Sequence, residues 1–374
     1  MRLLFFAGGS YIGGMEIVTM HLMEALRSDG HDARAVISGW NDGAYAKLLQ
    51  ERNIPYYELK LGRIYLRKPS WTIDGLMHWP KAILSLRRLL SEMKPDVIVI
   101  PDIELAAIVT LFLPRSTPMI LYFHSKLAPV LRSIVKYAVI KRMAGAIAVS
   151  KYVRDTASCA LADIKTQVVH NGIPIDSCNI RVSSRSVIRL GIIGQVSEGK
   201  RLSFMLDVLE VLRNRCDYDY RLVIFGNNRT AYSNRVLLDA ERRGLDQFLE
   251  WRGFEVDQSK IYSSLDVLVA PALHEAFGMT VVESMARGIP VVVSNAGGFP
   301  EVVSDGVTGY LVDPYSPEEM AQRLIELQDD ALRKTMGEAG REWVRTKFTS
   351  DVMARNFVDA CHGLGIESVA SRTN

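Results

Sequence analysis

The chain has 374 residues, a length typical of two domains. Hydrophobic residues make up 48% and charged residues 23%, proportions that exclude a disordered or collagen-like chain. The four cysteines show no CxxC spacing, which excludes a zinc ribbon or disulfide scaffold recognisable from sequence and fits a reducing compartment. No apolar run reaches the roughly 20 clean residues that a membrane span needs, so a cytoplasmic location is expected.

Charge is divided unevenly along the chain. Residues 1–184 carry a net charge of +8 and residues 185–374 a net charge of −5, and the stretch 60–142 alone has 14 basic and 5 acidic residues. A basic half of this kind can face nucleic acid, an anionic membrane or a phosphorylated substrate, and it can equally be a solvated surface.

In the first half of the chain, short apolar runs alternate with longer amphipathic ones. The predicted strands are Leu3–Ala7, Ala33–Ile37, Val97–Ile100, Met119–Phe123, Ala146–Val149 and Gln167–Val169. The predicted helices are Met15–Arg27, Lys81–Met93 and Val130–Met143. Strands that alternate with helices favour a doubly wound parallel sheet. The serine-, glycine- and proline-containing stretch Asn171–Ser186 is predicted to be a linker.

The same alternation restarts at Val187. The predicted strands are Val187–Ile193, Arg221–Phe225, Val267–Ala270 and Pro290–Val293. The predicted helices are Leu202–Arg213, Ser233–Arg243, Met279–Arg287, Pro317–Leu327 and a last one at Asp351–His362. The chain is therefore predicted to form two α/β domains that face each other across a ligand cleft.

Two glycine-containing loops follow predicted strands and lead into helices. In the segment 8–16, Gly13 and Gly14 would let backbone amides approach a phosphate, although a tight turn explains such glycines equally well. In the segment 194–201, Lys200 and Arg201 stand at a predicted helix start, where the helix dipole disfavours cations. An anion bound at this loop would explain them, and two solvated cations are the alternative.

The segment Pro271–Glu283 is the most informative. Glu275 lies on a loop after a predicted strand, and Gly278 opens a helix whose Met279 and Thr280 amides would point toward an anion. Further along, Gly297 and Gly298 would allow close approach of backbone to a ligand, and 305–309 looks like a structural turn.

His124 follows the predicted strand Met119–Phe123, at the edge of the sheet where such folds bind ligands. A single histidine there is more often structural. The chain shows no HExxH, no GxSxG and no acidic pair of the DxD kind.

These residues resemble the signature of glycosyltransferase family 4. The resemblance rests on Glu275 and Glu283 eight residues apart and on the block 284–301 that follows, with support from Gly13-Gly14 and from 171–173. It implies the GT-B fold, with two Rossmann-like domains at 1–180 and 187–348 and a helix at about 350–364 that packs back on the first domain. It also implies a retaining transferase that uses a nucleotide sugar.

The resemblance also implies roles for individual residues. Glu283 matches the glutamate that binds the ribose hydroxyls, Glu275 the one that holds the donor sugar, and His124 a histidine that contacts that sugar. Lys200 matches the lysine on the diphosphate. The catalytic set is therefore Glu275, His124 and Lys200, and the predicted donor-binding set is Gly13, Gly14, Gln195, Lys200, Arg201, Phe254, Phe277, Gly278, Met279, Thr280 and Glu283.

Gln195 departs from the family, which often has an arginine there, and this leaves one fewer cation for the diphosphate unless Arg201 replaces it. Lys200 and a helix N-terminus can stabilise the leaving diphosphate, so no metal or other cofactor is expected. Basic and aromatic residues in the stretches 60–71 and 126–142 suit an anionic membrane. The predicted acceptor is a glycan or lipid-linked molecule of cell-envelope polysaccharide or lipopolysaccharide synthesis.

Two other interpretations remain open at this stage. A nucleotide-sugar 2-epimerase would act on the donor alone, and a non-catalytic relative would bind sugar without turnover. An NAD-dependent oxidoreductase is disfavoured because the chain lacks GxGxxG. A nucleic-acid partner is not expected, since no RNA- or DNA-binding signature accompanies the basic charge.

Overall fold

The structure is a computed structural model. It describes residues 1–7, 12–61, 69–101, 103–110, 113–114, 116–125, 140–161, 164–175, 187–215 and 219–367. The chain divides into two compact units, one made of Met1–Pro174 with Thr349–Asn374 and the other of Ile175–Phe348.

The first unit contains a parallel sheet of seven strands in the order β3-β2-β1-β4-β5-β6-β7. Its strands are β1 (Arg2–Phe6), β2 (Asp32–Ser38), β3 (Tyr56–Leu59), β4 (Val97–Ile100), β5 (Met119–Phe123), β6 (Gly145–Ala148) and β7 (Thr166–Val168). The first five described helices are α1 (Gly14–Ser28), α2 (Ala44–Glu51), α3 (Pro69–Met93), α4 (Ile103–Val109) and α5 (Lys151–Leu161). Strands β4 and β5 are buried throughout, as expected for central strands covered on both faces.

The second unit contains a parallel sheet of six strands in the order β10-β9-β8-β11-β12-β13. Its strands are β8 (Val187–Ile193), β9 (Asp219–Phe225), β10 (Leu249–Gly253), β11 (Val267–Ala270), β12 (Val291–Ser294) and β13 (Gly309–Val312). Its described helices are α6 (Leu202–Arg215), α7 (Ala231–Arg242), α8 (Gln258–Ser263), α9 (Met279–Ala286), α10 (Phe299–Val302), α11 (Pro317–Glu326) and α12 (Asp330–Lys347).

The core of the second unit lies between the sheet and its helices. Leu222 and Val267 of the strands are fully buried beside Met205 of α6 and Met320 of α11. Several helices begin with a side-chain cap. The side-chain oxygen of the residue before the helix accepts a hydrogen bond from a backbone amide of the first turn that would otherwise have no partner. The capping residues are Thr230, Asp257, Ser316, Asp329 and Thr349.

The last helix, α13 (Ser350–Gly363), belongs to the first unit. The Phe357 ring lies 5.7 Å from the Phe5 ring and 5.4 Å from the Tyr122 ring, centroid to centroid. At the base of the helix, a Cβ atom on Gly172 would lie 2.2 Å from the Thr349 carbonyl oxygen, so this crossing requires glycine.

The predicted linker begins too early in the sequence. Asn171 and Ile173 are each 5% exposed, and the Ile173 carbonyl accepts a hydrogen bond from the Ser350 amide at 2.9 Å. The segment 171–173 is therefore part of the first unit, where it packs against the start of the last helix and accepts a hydrogen bond from it. Residues 176–186, the rest of the predicted linker, lie outside the described residues.

Central strands were predicted from sequence more accurately than edge strands. Met119–Phe123, Val187–Ile193 and Val267–Ala270 have the predicted bounds. Strands β3, β10 and β13 were missed, and all three lie at sheet edges. Strands β3 and β10 are only partly buried, which weakens their apolar signal. Most of the predicted helix Val130–Met143 lies outside the described residues, and its end forms a short 3₁₀ turn at Ile140–Arg142.

Candidate active site

A lysine and a glutamate meet where two strands of the second unit end. Lys200 lies on the loop after β8, and Glu275 lies on the loop after β11. The Lys200 Nζ donates a hydrogen bond to the Glu275 Oε2 at 3.0 Å. The two side chains are 30% and 25% exposed. The two side chains are thus paired with each other, and both are exposed enough for a ligand to contact the ammonium or the carboxylate.

The backbone of Glu275 is fixed by two glycines. Gly297 has a φ of +62°, and a Cβ there would lie 2.6 Å from the Glu275 carbonyl oxygen. The Gly298 amide donates to the same oxygen at 2.8 Å. These glycines were predicted to let the backbone approach a ligand. In the structure, the backbone of Gly297 and Gly298 approaches the Glu275 loop.

Helix α9 begins at a glycine with open amides beyond it. Gly278 has a φ of 102° and precedes the first residue of the helix. Its carbonyl accepts the Val281 and Val282 amides at 3.0 and 3.1 Å, while the Met279 and Thr280 amides have no carbonyl acceptor inside the helix. The start of α9 is thus a place where an anion can be bound by backbone donors.

Phe277 anchors the same loop. It is 2% exposed, and its ring lies 5.7 Å from the Phe348 ring in an edge-to-face arrangement. Its side chain is therefore part of the core, which leaves only its backbone for ligand contact.

Glu283 is held inside the second unit by two neighbours. The Tyr262 hydroxyl donates to its Oε2, and the Arg287 Nη1 donates to its backbone carbonyl at 2.8 Å. Burial raises the pKa of Glu283, whereas the Tyr262 hydrogen bond and the Arg287 charge lower it. Sequence reasoning missed Tyr262, which lies 21 residues away and gives no spacing signal.

Arg201 is held by the protein itself. Its φ is 51°, and helix α6 begins only after it, so Lys200 and Arg201 precede the helix instead of starting it. The Arg201 Nη1 donates to the Pro271 carbonyl at 3.0 Å and to the Pro314 carbonyl at 2.6 Å. These bonds tie three loops together, and in this arrangement the guanidinium does not replace the arginine missing at Gln195.

Two other predicted donor-binding residues of the second unit are open to solvent. Gln195 is exposed on the loop after β8, and Phe254 follows β10 with 85% of its surface exposed. A flat ligand can reach the Phe254 ring without displacing any other side chain.

In the first unit, the predicted glycine loop is closed by a carboxylate. The Gly13 amide donates to the Glu16 Oε2 at 3.0 Å, and the Tyr45 hydroxyl donates to the Glu16 carbonyl at 3.1 Å. Around Gly14, the first residue of α1, no atom of another described element lies within 4 Å of where a Cβ would be. The Gly13 amide is therefore occupied, whereas Gly14 is not crowded by any described part of the chain. Residues 8–11 lie outside the described residues.

His124 directly follows β5 in the first unit, as predicted. Its ring lies 4.2 Å from the Tyr122 ring. The Nε2 is buried and has no hydrogen-bond partner among the described residues. Burial lowers the pKa of His124 to about 3, so the imidazole is neutral near pH 7.

Two further properties concern metal ions and membranes. Within the described part of the chain, no three histidine, cysteine, aspartate or glutamate side chains gather where they could hold a metal ion. None of the helices that the structure describes has the length and apolarity needed to cross a bilayer.

Comparison with known proteins identifies the class. Residues 12–177 match Glycosyltransferase Family 4, and residues 185–343 match Glycosyl transferases group 1. Together the two matches cover most of both units. The chain therefore belongs to the family 4 glycosyltransferases, and it is an enzyme that transfers a glycosyl group.

Individual proteins agree with this assignment. A phosphatidyl-myo-inositol mannosyltransferase of Mycobacterium leprae is 27% identical over 351 residues, 89% of this chain and 88% of that protein. The structure of Anabaena HepE with UDP and glucose has a TM-score of 0.77 at 19% identity and covers 97% of this chain and 99% of that one. The lipopolysaccharide outer core galactosyltransferase WaaB has a TM-score of 0.73 at 18% identity, with the same coverage. The predicted GT-B type α/β fold, with two Rossmann-like domains, is confirmed.

Proposed function

We propose that this glycosyltransferase is a retaining, metal-independent enzyme that moves a hexosyl unit from a UDP- or GDP-sugar to a glycan or lipid-linked acceptor. The contact between Lys200 and Glu275 carries the proposal, since it places a cation and a carboxylate on adjoining loops near the start of α9. The HepE structure, which contains UDP and glucose, supports a nucleotide-sugar donor.

The positive groups act on the leaving diphosphate. Breaking the bond between the sugar and the nucleotide leaves negative charge on the diphosphate. The Lys200 ammonium and the Met279 and Thr280 amides stabilise that charge, because donors fixed before the reaction need little rearrangement. These groups supply the required positive charge, so the proposal includes no divalent cation and no other cofactor.

Glu275 acts on the sugar. When Lys200 turns toward the diphosphate, the Glu275 carboxylate loses its partner and becomes available to the sugar. Positive charge develops at the reacting carbon, and a nearby carboxylate orients the ring and stabilises that charge. The partial exposure of both side chains allows this exchange of partners.

The remaining predicted residues bind the rest of the donor. The Glu283 carboxylate accepts hydrogen bonds from the ribose hydroxyls, and the exposed Phe254 ring stacks on the base. His124, neutral and with a buried nitrogen that has no partner among the described residues, contacts a sugar hydroxyl. Gly14 leaves room for the diphosphate, and Gln195 lies on the same loop as Lys200.

The acceptor belongs to the synthesis of cell-envelope glycans. The names of the Mycobacterium leprae mannosyltransferase and of WaaB refer to a phosphoinositide lipid and to lipopolysaccharide. Both are glycolipid chemistry, which favours a lipid-linked acceptor over a small free sugar.

Helix α3 favours contact of the enzyme with an anionic membrane. Three of its exposed apolar side chains fall on one stripe, at helical spacing: Ile73, Met77 and Leu84, which are 59%, 69% and 67% exposed. Exposed Lys81, Arg87 and Arg88 flank the stripe. Apolar residues bordered by basic ones are typical of helices that lie on a membrane surface. Membrane contact was predicted from the stretches 60–71 and 126–142. Most of both stretches, namely 62–68 and 126–139, lies outside the described residues.

The test is turnover of a donor panel. Purified enzyme is incubated with UDP- and GDP-sugars, with and without EDTA, and released nucleoside diphosphate is measured. We expect one donor to be turned over equally with and without EDTA. The Lys200→Met and Glu275→Gln variants should lose activity by about a hundredfold, because each removes a charge at the reacting bond. Their stability should change by less than about 1 kcal/mol, as for other partly exposed ion pairs.

The exposed pair of Lys47 and Glu51, 3.9 Å apart in the first unit, supplies matched controls. Lys47→Met and Glu51→Gln should keep full activity. Loss of activity in EDTA would overturn metal independence. A C2-inverted sugar formed from the donor alone would identify a 2-epimerase, and binding without turnover in the presence of acceptors would identify a non-catalytic relative.

A further inference from the structure

Tyr262 is a buried tyrosine whose hydroxyl is directed at a binding-site carboxylate. It lies in the short helix α8, is 3% exposed, and donates its hydroxyl hydrogen to the Glu283 Oε2. Burial raises the pKa of Tyr262 well above its ordinary value, and the Glu283 charge raises it further. The hydroxyl therefore keeps its proton at every physiological pH and is a permanent donor.

Arg287 holds this tyrosine in place. Its guanidinium carbon lies 4.4 Å from the centre of the Tyr262 ring. Its Nη1 donates to the Glu283 carbonyl at 2.8 Å, and its Nη2 donates to the Gln258 Oε1 at 2.7 Å. One arginine at the end of α9 thus contacts both the first turn of α8 and the tyrosine ring, which fixes the two helices relative to each other.

The Glu283 carboxylate is only half used by the protein. Its Oε2 is occupied by Tyr262, whereas the Oε1 makes no hydrogen bond to any residue that the structure describes. A carboxylate on a flexible side chain would rotate, and the Tyr262 bond stops that rotation. The second oxygen therefore keeps one direction.

We propose that Tyr262 is a positioning residue that holds the Glu283 carboxylate so that its free oxygen meets the vicinal hydroxyls of the donor ribose. This inference rests on the proposed function, which assigns the ribose to Glu283. Tyr262 acts through Glu283 and does not touch the reacting atoms.

The test compares two nucleotides on one variant. Calorimetry measures the Kd of the nucleoside diphosphate of the accepted donor, and that of its 2′,3′-dideoxy analogue, for wild type and Tyr262→Phe. We expect about a tenfold weaker Kd for the ribonucleotide, in line with loss of a hydrogen bond to a charged group, and no change for the dideoxy analogue. The donor KM should rise with little change in kcat.

Tyr220→Phe is the matched control. Tyr220 is also 3% exposed in the second unit and also uses its hydroxyl, which accepts from the Gln328 side chain at 2.7 Å. It should lower thermal stability without changing either Kd. If Tyr262→Phe folds poorly, Arg287→Lys provides a second test. Lysine cannot make both guanidinium hydrogen bonds, to the Glu283 carbonyl and to Gln258 of α8. Arg287→Lys should therefore weaken binding of the ribonucleotide and leave binding of the dideoxy analogue unchanged.

The outcomes separate this inference from the proposed function. If wild type binds no nucleoside diphosphate, the proposed function fails and the role of Tyr262 fails with it. If wild type binds, but Tyr262→Phe weakens both nucleotides equally or neither, only the positioning role is overturned. In the Glu283→Gln background, Tyr262→Phe should have no further effect on the ribonucleotide Kd, and an additive loss would also overturn the role.

Discussion

Gly297 lies directly against the backbone of Glu275. A Cβ atom at position 297 would come 2.6 Å from the Glu275 carbonyl oxygen and 2.9 Å from its amide nitrogen. Any larger residue would therefore push the loop away. The position of the Glu275 carboxylate beside Lys200 depends on the absence of a side chain 22 residues further along the chain.

We predict that Gly297→Ala loses activity out of proportion to its loss of stability. The left-handed backbone costs an alanine roughly 1–2 kcal/mol, and the clash moves Glu275, so donor turnover should fall at least tenfold. Urea unfolding and donor turnover measure the two effects.

Gly306→Ala is the control for this substitution. Gly306 has a φ of +71°, and apart from its chain neighbours no described residue has an atom within 4 Å of the position of a Cβ there. The Gly306→Ala variant should lose only the stability that a left-handed backbone costs an alanine, and it should keep full activity. Normal turnover by Gly297→Ala would show that Gly297 does not place Glu275.

Donor binding should weaken in acid because of Glu283. Burial raises the pKa of this carboxyl above 4.5. In the proposed function, only its ionised form accepts both ribose hydroxyls. Affinity should therefore fall as pH drops through a midpoint above 4.5. The acid limb should be absent in Glu283→Gln, and its persistence there would assign it to another group.

The same shift has the opposite sign for stability. The folded state binds the Glu283 proton more tightly than the unfolded state, so this contribution favours folding below pH 4.5 and is lost as pH rises through the raised pKa. Glu283→Gln should therefore gain stability relative to wild type at pH 7 and show a smaller gain at pH 4. An equal difference at both pH values would contradict the burial effect.

His124 should act as a neutral group throughout the working range. Its pKa is lowered to about 3 from an ordinary value of 6.5. Between these two pH values the imidazole is protonated in the unfolded state and neutral in the folded state. Wild type should lose stability relative to His124→Asn as pH falls from 6.5 toward 3. Urea unfolding at about pH 7.5 and pH 5 tests this, and a constant difference between the proteins would show that His124 titrates normally.

The exposed stripe on α3 should bind anionic membranes. Met77→Glu and Leu84→Glu, at positions that are 69% and 67% exposed, should reduce flotation with phosphatidylglycerol vesicles without unfolding the chain. Leu238→Glu, at an exposed apolar position of the second unit, is the control. Equal flotation of all variants would show that α3 does not carry membrane binding.

The sequence predicted the interior of each sheet better than its edges. Met119–Phe123 is a continuous apolar run and has the predicted bounds. Leu249–Gly253 carries Glu250 and Arg252, and as an edge strand it needs only partial burial, so its composition does not separate it from a loop. A hydrophobic pattern in the sequence indicates a buried strand. An edge strand with one open side is less buried, so its hydrophobic pattern is weaker.

The candidate site was predictable where a single segment forms it. Glu275, Gly278 and Glu283 follow one another along one strand-loop-helix unit, so this segment together with the family resemblance already indicates the site. Tyr262 and Gly297 were different, because their roles depend on contacts between separate loops and helices. The sequence allows either a phosphate site or a tight turn at Gly13, and only the structure shows that Glu16 accepts the hydrogen bond of the Gly13 amide.

The most direct test of the account is the anomeric configuration of the product. The accepted donor is incubated with a lipid-linked or glycan acceptor, and NMR of the isolated product reads the configuration of the new linkage. We predict a product with the same anomeric configuration as the donor, formed in the presence of EDTA and strongly reduced in Lys200→Met and Glu275→Gln. A product of inverted configuration, or transfer that survives both substitutions, would contradict the proposed mechanism.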